Sequence, residues 1–251
     1  MKKILMLLPA IVLAVLMASL IYAIPQGPDT LTTDSSGNRT EGVDAVVVNT
    51  QAGNVTAMTI NDIRITGHWA GFYGNVTGSI TLDDAGNQTF FDWAIAAPSG
   101  EVYASNNSVV TWNKVQCENL TNNGTHPKWN HNATTLNRYF NINSTESDTF
   151  INTFNDTYTN SSGFDVGNVH IGPEQKCNLA YTYVNENAQA GAIFETILLT
   201  DNQSIIFTTL LENRKDGFRT GADPHDFQLL VAEDGIYNLA TTPYYFFVEI
   251  Q

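Results

Sequence analysis

Short apolar runs that alternate with polar residues recur along most of the chain and predict β-strands. The clearest run places Val76, Ile80 and Leu82 on one side and Ser or Thr on the other, which is typical of a half-buried strand. Comparable runs, separated by turns of Gly, Asn and Asp, occupy residues 44–48, 55–60, 91–95, 101–105, 108–115, 193–200, 204–212, 227–231 and 244–250. About nine or ten short strands with almost no helix predict an all-β domain of the β-sandwich type, either jelly-roll or immunoglobulin-like.

Two segments depart from this pattern. Residues 24–42 are rich in Pro, Gly, Ser, Thr and Asp, a composition typical of a flexible linker. Residues 118–176 are polar and irregular, except for a stretch at 148–158 whose aromatic spacing predicts a short helix. We therefore expect a single domain over residues 43–251, with residues 118–176 as an irregular insert within it.

The first 23 residues predict export. Lys2 and Lys3 are followed by an apolar run from Ile4 to Tyr22, and Ala23 is a small residue at which a signal peptide can be cleaved. The run is also long enough to cross a bilayer, so an uncleaved N-terminal anchor is the alternative. In both cases we expect a secreted protein, extracellular or at the cell surface, and contact with a membrane only through this segment if it is not cleaved.

The chain contains two cysteines, Cys117 and Cys177. In an oxidising extracellular setting, an isolated pair predicts a disulfide rather than a metal site or a catalytic thiol. The bridge closes a loop of 59 intervening residues. For a loop of that length, chain entropy predicts about 4 kcal/mol of stabilisation.

Acceptor motifs for N-linked sugar are unusually frequent. Twelve occur, whereas random placement of the 27 Asn and the 41 Ser and Thr gives about four. Six of the twelve lie between the two cysteines. We expect several to carry N-glycans, and the acceptor residues are Asn38, Asn54, Asn75, Asn87, Asn106, Asn119, Asn123, Asn132, Asn143, Asn155, Asn160 and Asn202.

The charge of the chain limits its partners. A net charge of -14 without a cluster of Lys and Arg argues against binding to nucleic acid. Two acidic turns, at Asp83 and Asp84 and at Asp223 and Asp226, contain the oxygen ligands that calcium prefers. Neither has the spacing of a recognised calcium loop, and the five histidines form no metal signature. We therefore expect no cofactor, with weak calcium binding as the alternative.

Aromatic residues and glycines concentrate at residues 68–75. Trp69, Phe72 and Tyr73 have the chemistry to stack on the apolar faces of sugar rings, so they are candidates for glycan binding. The alternative, which we favour, is that these aromatics fill the protein core while the glycines make a bend.

Four stretches resemble a set of uncharacterised secreted proteins, mostly archaeal. They are residues 69–78 (WAGFYGNVTG), 100–105 (GEVYAS), 226–231 (DFQLLV) and 243–249 (PYYFFVE). The resemblance extends over most of the chain after its leader. It implies an exported protein of an archaeal cell surface that is rich in acceptor motifs for N-linked sugar. It implies neither an activity nor catalytic residues.

Together these features predict a non-enzymatic glycoprotein of the cell surface, such as an envelope, filament or adhesion component. The aromatic strand at 244–250 can add to the sheet of a neighbouring molecule if it lies at an edge. We therefore expect self-association or binding to other surface components. A carbohydrate-binding module is the alternative function and a secreted hydrolase is the third, although the sequence shows no catalytic constellation.

Overall fold

A computed structural model describes residues 24–39, 49, 51–60, 63–121, 132–189, 193–234 and 241–250. The export segment 1–23, the strand predicted at 44–48 and the acceptor residue Asn123 lie outside the described residues. Helices within the described segments are short, and none has the length and apolar character needed to cross a membrane.

Most of the secondary structure in this part of the chain is β-strand. The two α-helices are α1 (Ala133–Tyr139) and α2 (Phe150–Thr153), and 3-10 turns occupy Trp112–Lys114 and Pro173–Gln175. The strands are β1 (Trp69–Gly74), β2 (Ser79–Asp83), β3 (Thr89–Ala94), β4 (Gly100–Ser105), β5 (Gln116–Cys117), β6 (Asp156–Thr157), β7 (Phe164–Val166), β8 (Val169–Ile171), β9 (Asn178–Tyr181), β10 (Glu195–Thr200), β11 (Ile205–Leu210), β12 (Phe227–Ala232) and β13 (Tyr245–Ile250).

Seven of these strands form one antiparallel sheet, the main sheet. Its order is β13, β4, β11, β10, β9 and β6, and β5 pairs with the same edge of β10 as β9 does. The hairpin predicted from residues 193–200 and 204–212 is confirmed, because β10 and β11 pair across a short turn. Ile197, Leu198 and Leu199 are consecutive and all buried, so both faces of the sheet are covered at its centre.

The β1–β12 pair and the two α-helices cover one face of the main sheet. Leu198 and Phe207 of the sheet pack there with Leu229 and Val231 of β12 and with Phe150 of α2. Leu229 and Val231 are two positions apart on β12, so their side chains lie on the same face of that strand. This first core therefore joins elements from the beginning, the middle and the end of the chain.

The β7–β8 hairpin and the Trp112–Lys114 turn lie against the opposite face. Tyr103 and Ala104 are adjacent on β4 and belong to opposite cores, as strand alternation requires. The second core contains, among others, Val115, Phe164, Val166, Ile171, Leu179, Ile197, Leu199 and Ile206.

The predicted β-rich class with antiparallel strands is confirmed. The β-sandwich is not established, because the layers that face the main sheet are two-stranded pairs, helices and turns. Two strand predictions are wrong. Residues 55–60 are exposed and unpaired within the described part, and residues 108–115 contain a 3-10 turn at Trp112–Lys114 and no strand. Their local propensity favours a strand, but among the described residues no neighbouring strand is placed to complete a ladder.

The described parts of the segment between the cysteines, residues 118–121 and 132–176, contribute to the core. The aromatic spacing predicts a helix of two or three turns at 148–158, and the structure has one turn there, α2. Phe150, Phe154 and Tyr158 of that stretch are buried, whereas Ile151 faces solvent. The segment therefore supplies core residues and is not an irregular loop attached to a finished domain.

Candidate functional site

The β2–β3 hairpin carries an exposed apolar face. Ile80 pairs with Trp93 and Leu82 pairs with Phe91, so these four side chains share one side of the hairpin. They are 59 %, 50 %, 51 % and 54 % exposed, in that order. The hairpin contacts no other helix or strand extensively in the described part of the chain. Because soluble proteins rarely leave such a group uncovered, this surface, the hairpin face, is a candidate interaction site.

Local sequence explains why the hairpin forms. Asp84 accepts hydrogen bonds from the backbone N–H groups of Gly86 and Gln88 at 2.8 and 2.9 Å. Asn87 adopts a left-handed conformation with φ of 59°, which asparagine tolerates better than most residues. The alternating pattern predicted this strand pair correctly. It also predicted half-burial, and within the described residues nothing provides the covering layer.

The base of the hairpin lies against the end of β13. The N–H of Ile95 donates to the carbonyl of Gly78 at 3.2 Å. A Cβ atom at Gly78 would lie 2.6 Å from Cδ1 of Ile250, so the absence of a side chain permits this close approach. The hairpin face is therefore anchored next to the last residue of the main sheet.

The strand β13 is an edge strand of the main sheet. On its outer side Val248 exchanges two backbone hydrogen bonds with Gln26, at 2.8 and 3.1 Å. Phe246 and Ile250 direct their backbone groups to the same outer side, and no backbone group of the described residues pairs with them. The sequence missed this role of Gln26, because it lies in a segment whose composition predicts a flexible linker. The neighbouring Pro25 is buried.

Two buried glutamates face each other where β4 meets β13. Glu101 and Glu249 are paired in register and are 4 % and 2 % exposed. The hydroxyl of Tyr103 lies 3.4 Å from one carboxylate and 3.2 Å from the other, and the N–H of Gly167 donates to Glu249 at 2.9 Å. Burial, and then the neighbouring Glu249, raise the pKa of Glu101 to about 8.

Burial also raises the pKa of Glu249. Two carboxyls with raised pKa values resemble an acid-base pair, but a substrate cannot reach them without opening the sheet. The arrangement is a pH-sensitive part of the fold. An acidic residue inside an apolar strand, as in GEVYAS and YFFVEI, is the sequence signal that could have identified it.

Cys117 and Cys177 form the predicted disulfide, with their Cα atoms 4.7 Å apart. Cys117 lies in β5 and pairs with Leu199 of β10, whereas Cys177 directly precedes β9, which pairs with the same edge of β10. The shared edge brings the two cysteines together. An oxidising extracellular environment is consistent with this bridge.

The eleven predicted glycosylation residues within the described segments all have at least partly accessible side chains. Asn119 and Asn143 each accept hydrogen bonds from the backbone N–H and the hydroxyl of the threonine two positions later. Asn132 also starts α1, because its side chain accepts from the N–H of Thr135. The exposed residues among them are Asn38, Asn54, Asn75, Asn87, Asn143, Asn155 and Asn160.

The three aromatics considered for glycan binding do not form one stacking surface. Trp69 packs on Phe150 at 5.0 Å between ring centroids, and Phe72 packs on Phe246, also at 5.0 Å. Tyr73 contacts His225 at 4.6 Å, on the side of β1 opposite to Phe72. The core interpretation therefore fits Trp69, and the other two residues remain partly exposed in separate contacts.

The aspartates considered for calcium take part in local contacts. Asp84 forms the hairpin turn, and Asp83 accepts from the hydroxyl of Thr81 at 2.8 Å. Asp226 is buried, and its two oxygens accept from backbone N–H groups of Val76 and Arg214. Asp223 is exposed. Turn and loop hydrogen bonding accounts for Asp83, Asp84 and Asp226.

Comparison with protein-family models, with curated proteins and with solved structures finds no match to this chain. The resemblance to archaeal secreted proteins, the export of the chain and its glycosylation therefore stay predictions. Its function has to be inferred from the surfaces described above.

Proposed function

We propose that the chain is a non-enzymatic structural glycoprotein of the cell surface, which assembles with further copies of itself through the hairpin face. The observation that carries the proposal is the set of four large apolar side chains on that face, each about half exposed. A two-stranded hairpin alone is marginally stable in water, so a partner that covers its apolar side stabilises both the hairpin and the contact.

We favour a second copy as the partner because an uncovered apolar hairpin face and a partly unpaired edge strand lie side by side in the described part of the chain. The hairpin face has no covering layer in the described part, and the outer edge of β13 is paired there only at Val248. Gly78 and Ile250 connect the two features. One copy that supplies apolar cover or a strand to the next forms a head-to-tail contact, and such contacts propagate into filaments or sheets.

The predicted sugars are compatible with such a contact. Asn75 precedes β2 and Asn87 lies in the turn between the two strands, so neither belongs to the paired apolar positions. Glycans there would border the hairpin face without covering it. The other exposed acceptor residues lie on different segments, and sugar at those positions disfavours tight protein contacts elsewhere.

Replacing Leu82 and Trp93 together by serine is expected to abolish self-association. The wild-type chain should form oligomers or polymers whose size rises with concentration, as measured by light scattering after gel filtration and by electron microscopy. The double variant should remain monomeric because it loses apolar area only on the exposed face. Its thermal unfolding midpoint as a monomer should stay close to that of wild type.

The matched control for this experiment is Phe90→Ser. Phe90 is the extra residue of the bulge in β3 and is 84 % exposed, but it lies outside the paired positions. This variant should assemble as wild type does. A wild-type chain that stays monodisperse and monomeric at high concentration, or a double variant that still assembles, would show that the hairpin face is not the assembly surface.

Peptide mapping by mass spectrometry of the protein secreted by its natural host should find sugar at the exposed acceptor residues. Thr145→Ala should remove the addition at Asn143 alone, since the motif is lost there while the asparagine stays in place. Asn141 is exposed but is followed by no acceptor motif, so it should remain unmodified in the same peptides. Unmodified asparagine at all these positions would contradict glycosylation.

A further inference from the structure

Three potential metal ligands from distant parts of the sequence meet at the start of β1. His68, Glu146 and Asp148 each bring a ligand atom within 4.8 Å of the other two. His68 Nε2 lies 3.0 Å from Glu146 Oε2. His68 directly precedes β1, whereas Glu146 and Asp148 lie between α1 and α2. In the described segments no other group of His, Cys, Asp and Glu meets the same geometric condition.

Packing and hydrogen bonds hold these ligands in position. The indole N–H of Trp69 donates to the backbone carbonyl of Asp148 at 2.7 Å, and its ring contacts Phe150. The hydroxyl of Thr66 donates to the Asp148 carboxylate. The Thr66 hydroxyl oxygen in turn accepts from the backbone N–H of His68 at 3.1 Å. Supporting contacts of this kind orient ligands around a bound metal.

The charge balance of the group favours a cation. Within the described residues, neither Glu146 nor Asp148 forms an ion pair with Lys or Arg. The side chain of His68 is 12 % exposed, and its buried Nδ1 has no hydrogen-bond partner. The ring contacts Glu146 through Nε2. Two carboxylates without a Lys or Arg partner among the described residues concentrate negative charge that a divalent ion can neutralise.

We propose that His68, Glu146 and Asp148 bind a divalent transition-metal ion, for which zinc is the best fit. Imidazole nitrogen combined with carboxylate oxygen suits zinc and its neighbours, whereas calcium and magnesium prefer oxygen ligands alone. Three protein ligands leave a coordination position for water. The ion joins the segment before β1 to the disulfide-closed segment, next to the hydrogen bond from Trp69 to Asp148. This site does not depend on the assembly proposed above.

Zinc titration of the full secreted chain, after removal of metal by a chelator, tests the site. Calorimetry should detect a zinc site, and zinc should raise the thermal unfolding midpoint. The double variant Glu146→Gln with Asp148→Asn preserves side-chain size and should weaken zinc binding at least about tenfold. It should also lose the shift in midpoint. Cobalt bound to the wild type should show an absorption spectrum that changes in His68→Ala.

The matched control is His170→Ala. His170 Nδ1 lies 2.7 Å from Asp165, so it forms a similar histidine–carboxylate pair, but no third ligand completes a group there. This variant should bind zinc as wild type does. Near-UV circular dichroism without zinc establishes that each variant is folded. A wild-type chain that binds no zinc, or a folded double variant that binds zinc as tightly as wild type, would overturn the proposal.

Discussion

Replacing Glu101 by glutamine is expected to stabilise the fold by about 3 kcal/mol near pH 8 and to change its stability little near pH 5. Burial, and then the neighbouring Glu249, raise the pKa of Glu101 from 4.5 to about 8. The unfolded chain therefore loses this proton several pH units earlier than the folded chain does. Glutamine is similar in shape, carries no charge and keeps a side-chain oxygen that can accept from the hydroxyl of Tyr103, so it removes the cost of burying this acid.

The sign of the pH dependence follows from proton binding. Between about pH 4.5 and pH 8 the folded state holds more protons than the unfolded state, so the free energy of unfolding falls as pH rises. Burial and the neighbouring Glu212 also raise the pKa of Glu195 to about 7, and this acid acts in the same direction. The wild-type fold should therefore be more stable near pH 5 than near pH 8.

Urea unfolding, followed by tryptophan fluorescence at both pH values, measures these differences. Glu174→Gln is the control, because Glu174 is an exposed glutamate and its replacement should change stability little at either pH. A wild-type free energy of unfolding that does not fall between pH 5 and pH 8 would contradict the account. A destabilised Glu101→Gln variant near pH 8 would contradict it as well.

The parts of the fold that the sequence predicts are those fixed by local pattern. Apolar and polar residues alternate at 76–82 and 91–95, on either side of a turn that contains Asp, Gly and Asn. These two segments pair as β2 and β3. Strands β10 and β11 are predicted for the same reason. The partner of β1 is β12, about 150 residues later, and no local pattern specifies that pairing. Residues 55–60 show the reverse case, in which strand propensity is present but no partner strand lies beside them in the described segments.

The candidate sites show the same difference between features that the sequence alone specifies and features that depend on distant residues. The disulfide is predicted because the chain has two cysteines and therefore a single possible pairing. The group of His68, Glu146 and Asp148 is not predicted, since the histidine and the first carboxylate are 78 positions apart. The exposure of the hairpin face is also missed. Alternation reports which side chains share a face, but not whether another element covers that face.

Removing the disulfide, by replacing Cys117 and Cys177 with serine, is expected to destabilise the fold by about 4 kcal/mol. The bridge closes a loop of 59 residues, and that loop carries Phe140, Phe150 and Phe154 of the first core. Without the bridge the unfolded chain gains the conformational freedom of this loop, whereas the folded loop must still be ordered. The loss is a large share of the 5–15 kcal/mol that is usual for folded domains.

Urea unfolding of the double serine variant against the oxidised wild type gives the difference in the free energy of unfolding. The wild type in reducing agent should match the variant, because both lack the bridge. Zinc should also stabilise the folded variant if the proposed metal site is intact, since a ligand of the folded state stabilises it in proportion to the logarithm of its concentration. A variant as stable as the oxidised wild type would mean that the packing of the three phenylalanines alone holds the loop in place.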